Sequence, residues 1–140
     1  MRLSEAANRV IELARKVYDY YSTELPKWHP NYPVVGLDEE SAPPPPEEKE
    51  LRDFLSGLSE DMIYQLMLIM YLGRGDFGID DLASNYETLK GSFGDPEHAA
   101  AQMMDKASLA DHLVDGLEEL RKHQINVDRM PLKKVKMRKR

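Results

Sequence analysis

The stretch Ser59–Asp76, SEDMIYQLMLIMYLGRGD, decides the fold. Ser59 is a good helix N-cap residue, and the two acids that follow it suit the positive end of a helix dipole. Over residues 62–72 the one strongly polar side chain is Gln65, so the predicted helix has no face for solvent. It is too short for a bilayer, which needs about 20 apolar residues. The sequence therefore places this helix in a protein core or an oligomer interface, with Gly73 as its left-handed C-terminal residue.

Arg74 is the first candidate site residue. Its guanidinium lies between two glycines at the end of the predicted helix, where it can offer a fork of donors to a carboxylate or a phosphate. An arginine in this position also commonly bonds the last helix carbonyls or pairs with a nearby acid such as Asp76, Asp80 or Asp81. Arg74 and Asp76 are therefore a candidate ligand- or anion-binding pair, with an internal ion pair as the simpler alternative.

Length and composition predict a single cytoplasmic domain. At 140 residues the chain is long enough to bury a core without metals or disulfides. It has no cysteine, which excludes disulfides, cysteine nucleophiles and thiolate zinc sites and agrees with a reducing compartment. Residues 1–17 carry charges every few positions and so lack the apolar run of a signal peptide. No membrane span is predicted.

The net charge of −6 conceals an acidic body and a basic C-terminal segment. Residues 124–140 hold seven basic side chains and one acid, which gives +6, and residues 1–123 hold 12 basic and 24 acidic ones, which gives −12. The sequence predicts a helical domain over 1–123 and a flexible basic tail over 124–140. The candidate polyanion-binding residues are Arg129, Lys133, Lys134, Lys136, Arg138, Lys139 and Arg140. Nucleic acid, anionic lipid, an acidic subunit surface and a purely solubilising role are all open for this tail.

Five further helices are expected around the central one. The first runs from a Ser4 cap to about Leu25, where Pro26 stops it. The other expected spans are about 47–56, 79–90, 95–106 and 108–123. Gly116 lies on the apolar face of the last helix, where the absence of a side chain predicts a close approach to another helix.

Helix boundaries in the second half of the chain follow local start and stop signals. Asp95 and the proline after it mark an N-cap and a first helical position. Ser108 and Asp111 have the spacing of a capping box. Gly91 and Gly94 are expected to end the helix before Asp95.

Residues 26–46 form a long Pro-rich loop in this prediction. Four successive prolines favour an extended, stiff spacer. Trp28 and Tyr32 either pack back onto the helices as an aromatic lid or form a groove for a partner. A large ring in a long loop usually anchors that loop, which favours packing.

No catalytic, metal-binding or cofactor-binding motif is recognisable. The histidines are too far apart in sequence to form an i, i+3 or i, i+4 ligand pair. They are His29, His98, His112 and His123. His112 and Asp115 are expected to form a surface pair. The sequence has no nucleophile elbow, Walker loop or dinucleotide-binding turn. The predicted helix 79–90 is acidic, which argues against its use as a DNA recognition helix.

The chain from the central helix onward resembles a bacterial family of unknown function. The residues that carry the resemblance are Leu-Gly-Arg-Gly-Asp at 72–76 and LADHLVDGL at 109–117. They are similar to the domain-of-unknown-function family numbered 3775, over about residues 50–121. The resemblance implies a helical fold and a bacterial source, and it implies no ligand, activity or catalytic residue.

The sequence as a whole predicts an all-α protein, a small orthogonal bundle of five or six helices. The leading functional hypothesis is a non-enzymatic interaction protein that self-associates as a homo-oligomer through the apolar central helix. The alternative is an accessory protein that binds nucleic acid or another polyanion through the tail. An enzyme or ligand site around Arg74 is the third hypothesis.

Overall fold

Six α-helices make up most of the described chain. The computed structural model describes residues 1–29, 31–34, 36 and 43–132. The helices are α1 (Leu3–Trp28), α2 (Pro46–Ser56), α3 (Glu60–Arg74), α4 (Leu82–Phe93), α5 (Pro96–Met104) and α6 (Leu109–Lys122). Short 3-10 helices span Ile79–Asp81 and Val127–Arg129, and the described residues form no strand. The predicted all-α helical bundle is confirmed.

Helix α3 lies at the centre of the bundle. It contacts α6 most extensively and also packs on α1, α4 and α5. Its residues from 63 to 72 are buried on every side, except that Gln65 and Tyr71 are partly exposed. The helices that cover α3 belong to the same chain. Self-association through this helix stays a prediction.

Helices α3 and α6 approach closely because each has a glycine at the crossing. A Cβ atom added to Gly73 would lie 1.8 Å from the carbonyl oxygen of His112, and one added to Gly116 would lie 2.1 Å from the carbonyl oxygen of Ile69. The predicted close approach at Gly116 is confirmed. The prediction that Gly73 ends the helix is wrong, because Gly75, with φ of +88°, takes the left-handed position after α3.

Side-chain caps form at two of the four predicted positions. The Ser59 hydroxyl accepts a hydrogen bond from the amide of Met62 at 3.2 Å, and the Asp95 carboxylate accepts one from the amide of His98 at 2.8 Å. The predicted capping box at Ser108 is wrong. Its backbone (φ −94°, ψ 19°) is not in the extended conformation that an N-cap requires, and its side chain makes no capping bond.

Two helices continue past the residues that were expected to stop them. Helix α1 passes through Pro26, since a proline in the last turn removes one donor while the amide of His29 still bonds the carbonyl of Leu25 at 2.8 Å. Helix α4 passes through Gly91 and ends before Gly94, whose φ is +68°. In both helices, one helix-disfavouring residue near the C-terminal end is therefore tolerated.

The folded body extends beyond the boundary predicted at residue 123. The apolar side chains that pack against the core from this region are Ile125, Val127, Met130 and Leu132. Asp128 accepts hydrogen bonds from both the amide and the hydroxyl of Ser4, each at 2.8 Å. Ser4, predicted as the N-cap of α1, lies inside the first turn, and Asp128 supplies the capping carboxylate from a distant part of the chain.

The Asp128 cap should make stability depend on pH. Its hydrogen bond from the Ser4 amide holds the pKa of Asp128 below its usual range. The stabilisation is therefore complete above the unfolded-state pKa of 3.8 and is lost as the pH falls through the lower folded-state pKa. We expect Asp128→Asn to lower the thermal unfolding midpoint at pH 7, and the difference from the native chain to shrink below pH 3.8. Circular dichroism melts from pH 7 to 3 test this, and a difference independent of pH would contradict it.

Tyr64 is fully buried, and its hydroxyl has no hydrogen-bond partner among the described residues. Such a group costs about 1–3 kcal/mol. We expect Tyr64→Phe to raise the free energy of unfolding by about 1 kcal/mol in urea titrations. The matched control is Tyr86→Phe, which removes a hydroxyl bonded to Asp61 and should lower stability. A loss of stability in both variants would show that the Tyr64 hydroxyl is satisfied in solution.

Candidate functional site

Arg74 forms an ion pair with Asp76 at the end of α3. Its Nε atom lies 3.2 Å from Oδ2 of Asp76, and its guanidinium carbon lies 5.5 Å from the ring centroid of Tyr71. Both members of the pair are partly exposed. The structure thus contains the internal ion pair that was the simpler alternative to a ligand contact. Anion binding by Arg74 and Asp76 stays a prediction, which the neighbouring carboxylate weakens because it offsets the positive charge.

A cavity of about 410 Å³ opens between the loop after α3 and the last turns of α6. Its charged lining residues are Asp115, Glu118, Glu119 and Lys122. Three carboxylates against one ammonium disfavour a phosphate or any other anion at this place. The motifs at 72–76 and 109–117 therefore meet at a helix crossing, and the close packing of the two helices explains Gly73 and Gly116 without a ligand.

Large exposed hydrophobic side chains concentrate in one region. Apart from Met1, those of the described residues lie between positions 18 and 34: Tyr18 (53% exposed), Trp28 (37%), Tyr32 (47%) and Val34 (70%). Trp28 and Tyr32 are therefore not covered as a packed lid would be. Of the two, Tyr32 lines a groove, as the alternative expects.

A groove lies beside Tyr18 and Tyr32, between α1, α2 and the turn from α5 to α6. It encloses about 270 Å³ and is called the aromatic groove below. Its aromatic and larger apolar lining residues are Val17, Tyr18, Tyr21, Leu25, Tyr32, Leu51, Met104 and Leu109. Its charged lining residues are Glu48, Asp105 and Lys106. The surface is thus mainly apolar, with charges of both signs.

Hydrogen bonds from two tyrosines hold one wall of the aromatic groove. The Tyr21 hydroxyl donates to Oε1 of Glu48 at 3.1 Å, and the Tyr20 hydroxyl donates to the carbonyl of Pro43. Burial, and then the bond to Glu48, raises the pKa of Tyr21, so its hydroxyl remains a donor at neutral pH. These bonds fasten α2 and the residues before it to α1, and the groove is formed without a ligand.

Another concave surface lies where the described chain ends. This cleft of about 670 Å³, called the Tyr86 cleft, is lined by Asp61, Gln65, Tyr86, Glu87, Lys90, Met130, Pro131 and Leu132. The Tyr86 hydroxyl donates to Oδ1 of Asp61 at 3.2 Å, and Nζ of Lys90 lies 5.0 Å from the Tyr86 ring centroid. Burial, and then the Asp61 charge, raises the pKa of Tyr86 to about 12. Tyr86 therefore orients Asp61 as a stable donor.

Of the seven polyanion-binding candidates, the structure describes Arg129. Its side chain is exposed and has no ion pair within the described residues. The other candidates, which lie outside the described residues, are Lys133, Lys134, Lys136, Arg138, Lys139 and Arg140. The sequence-based prediction of a polyanion-binding tail stays a prediction.

The histidines occupy separate places in the fold. His98 and His123 each lie about 3 Å from an acid on the preceding turn, and His29 is buried. The expected pair of His112 with Asp115 does not occur among the ion pairs of the described residues. Within the described ranges, no group of three or more His, Cys, Asp or Glu side chains could hold a metal ion. No helix in those ranges has the length and apolarity needed to cross a membrane.

Sequence reasoning missed Tyr18 and Tyr21 as site residues because both continue the apolar stripe of α1. The sequence signal that could have identified them is helix length. α1 has 26 residues, whereas α2, which packs along it, has 11 and leaves part of the α1 stripe uncovered. Buried residues of α1 end at Ala14, and the later stripe positions are left to form the groove.

Comparison with known proteins agrees with the resemblance read from the motifs. The DUF3775 family, described as proteins of unknown function, matches residues 48–121, more than half of the chain and most of α2 to α6. No curated protein and no solved structure matches this chain. The matched segment includes the α3–α6 crossing and the loop that holds Arg74. The chain therefore belongs to the DUF3775 family of proteins of unknown function.

Proposed function

We propose that this protein is a non-enzymatic helical module that binds a protein partner in the aromatic groove. The observation that carries the proposal is that the exposed large hydrophobic side chains of the described residues, apart from Met1, fall between positions 18 and 34: Tyr18, Trp28, Tyr32 and Val34. Two of these side chains line the groove directly. Clustered exposed hydrophobic side chains commonly mark interaction surfaces.

The chemistry of the groove suits a protein segment. Tyrosine and tryptophan are enriched in interface hot spots, because their rings bury a large area with little loss of rotamer freedom. The volume of about 270 Å³ is just below the range of about 300–1,000 Å³ typical of small-molecule pockets, and it fits a few inserted side chains. The charges that border the groove leave room for polar contacts at its edge.

Tyr18 provides the sharpest test of this proposal. We expect Tyr18→Ser to weaken partner binding by roughly 30-fold or more, the effect of losing a hot spot of about 2 kcal/mol. Tyr18→Phe keeps the ring and should bind like the native chain. The measurement is quantitative crosslinking of the tagged native, Ser and Phe chains in extracts of expressing cells, with thermal melts to show that all three fold. Equal crosslinking of the Ser and native chains, or none with any of them, would count against the groove.

A second candidate function is polyanion binding through the C-terminal basic residues. The supporting observation is charge separation: residues 1–132 hold 13 basic and 25 acidic side chains, and residues 133–140 hold six basic and no acidic ones. Each phosphate neutralised on duplex DNA adds about 0.9 to the log–log salt slope, so six contacts predict a slope near 5. The deletion that tests this removes residues 133–140 and leaves the Asp128 cap intact.

A further inference from the structure

The described chain ends inside a charged cleft. Met130, Pro131 and Leu132 form part of the lining of the Tyr86 cleft, together with residues of α3 and α4. The residues that follow, KKVKMRKR at 133–140, lie outside the described part of the structure and include six cations. The basic segment therefore begins, in sequence, at the residue after a lining residue of this cleft.

The carboxylates of the cleft are accessible to that segment. The Asp61 side chain is 72% exposed, and Glu87 is exposed on α4. Lys90 is the cation among the lining residues, and its Nζ lies 3.9 Å from Asp61 and over the Tyr86 ring. Glu87 takes part in no ion pair of the described residues. Among the described residues, the cleft therefore has a negative balance, and its Glu87 carboxylate has no cation partner.

Chain length permits the contact. Eight residues reach at most about 26–29 Å when extended, and the cleft begins at the residue before them. A tethered segment with so short a connection has an effective concentration on the order of millimolar, so even a weak contact is well populated. The opposite charges of body and segment add a long-range attraction that salt will screen.

We propose that the Tyr86 cleft is the docking surface for residues 133–140 of the same chain, and that a polyanion competes with the cleft for this segment. The docking goes beyond the proposed partner-binding function and is independent of the aromatic groove. The competition rests on the second candidate function. Docking holds the basic residues on an acidic surface, and nucleic acid or another polyanion must displace that surface to bind them.

The first test compares amide NMR spectra of the full chain with those of a chain truncated after Leu132. We expect chemical-shift differences concentrated at Asp61, Tyr86 and Glu87, which disappear at high salt. In the full chain, Glu87→Lys should remove these differences. Glu97→Lys is the matched control, because it makes the same charge change at an exposed position on α5 outside the cleft. Absence of differences at low salt, or equal effects of the two variants, would overturn the docking.

The second test titrates labelled duplex DNA by fluorescence anisotropy. If docking competes with DNA, Glu87→Lys should tighten binding several-fold more than Glu97→Lys does, although both variants change the net charge equally. Equal tightening would overturn the competition. A failure of the native chain to bind DNA at low salt would end the polyanion function and the competition with it, while the NMR comparison still decides whether the segment docks.

Discussion

Gly73→Ala and Gly116→Ala are each expected to destabilise the fold by roughly 3 kcal/mol or more, at the upper end of the range for overpacked cores. The added methyl of the first would lie 1.8 Å from the His112 carbonyl oxygen, and that of the second 2.1 Å from the Ile69 carbonyl oxygen. Both obstacles are backbone atoms, which cannot turn aside as a side chain can. Relief therefore requires α3 and α6 to separate, and these two helices form the most extensive contact of the bundle.

Gly91→Ala is the matched control for both substitutions. Gly91 lies inside α4, is exposed, and has no atom within 4 Å of an added Cβ. Alanine is the better helix former, so this variant should gain about 0.5–1 kcal/mol. Urea unfolding followed by circular dichroism measures all three variants. Values for the Gly73 and Gly116 variants within about 0.5 kcal/mol of the native chain, the range of ordinary surface changes, would mean that the crossing is looser than described.

Leu68→Ala should destabilise the protein by about 2–5 kcal/mol, because Leu68 is fully buried at the centre of α3 and its truncation leaves a cavity. Leu68→Met nearly conserves the volume and should cost less than about 1.5 kcal/mol. Comparison of the two variants separates the effect of a cavity from the effect of replacing this residue at all. Similar losses in the two variants would contradict a cavity as the cause.

The native chain and Leu68→Ala also test whether α3 is covered by its own chain or by a second subunit. The structure covers α3 with helices of one chain, so the unfolding midpoints of the native chain and of Leu68→Ala should not depend on protein concentration. A midpoint that rises with concentration would mean that a second subunit contributes to the stability of the fold. The comparison is made by measuring the unfolding midpoint at about 5 µM and at about 200 µM protein.

The central helix and its N-cap were predictable because they depend on local sequence. The apolar run and Ser59 identify α3, as Asp95 identifies the start of α5. The C-terminal end of α3 was not predictable from its own residues. Gly73 and Gly75 are both plausible helix-ending glycines, but Gly73 serves the close approach of His112, on a helix that lies far along the chain, and Gly75 ends the helix.

The candidate site was predictable in part, and for the same physical reason. Arg74 is recognisable from its glycine neighbours, and its pairing with Asp76 involves residues two positions apart. The exposure of Tyr18 depends on which part of α1 the other helices cover, which no local pattern encodes. The Tyr86 cleft depends on the path of residues 130–132. Their packing against the core was not predicted, because the basic charges of the C-terminal segment dominate its sequence pattern.

The bond between Ser4 and Asp128 has a consequence for biosynthesis. The two residues are 124 positions apart, so at about 5–20 residues per second the ribosome needs roughly 6–25 s after making Ser4 to make its carboxylate partner. For most of that time α1 exists without α6, and for all of it without its cap. The part of the α1 stripe that α6 covers therefore stays exposed until nearly all of the folded body has been translated, and this interval is when a chaperone has most to bind.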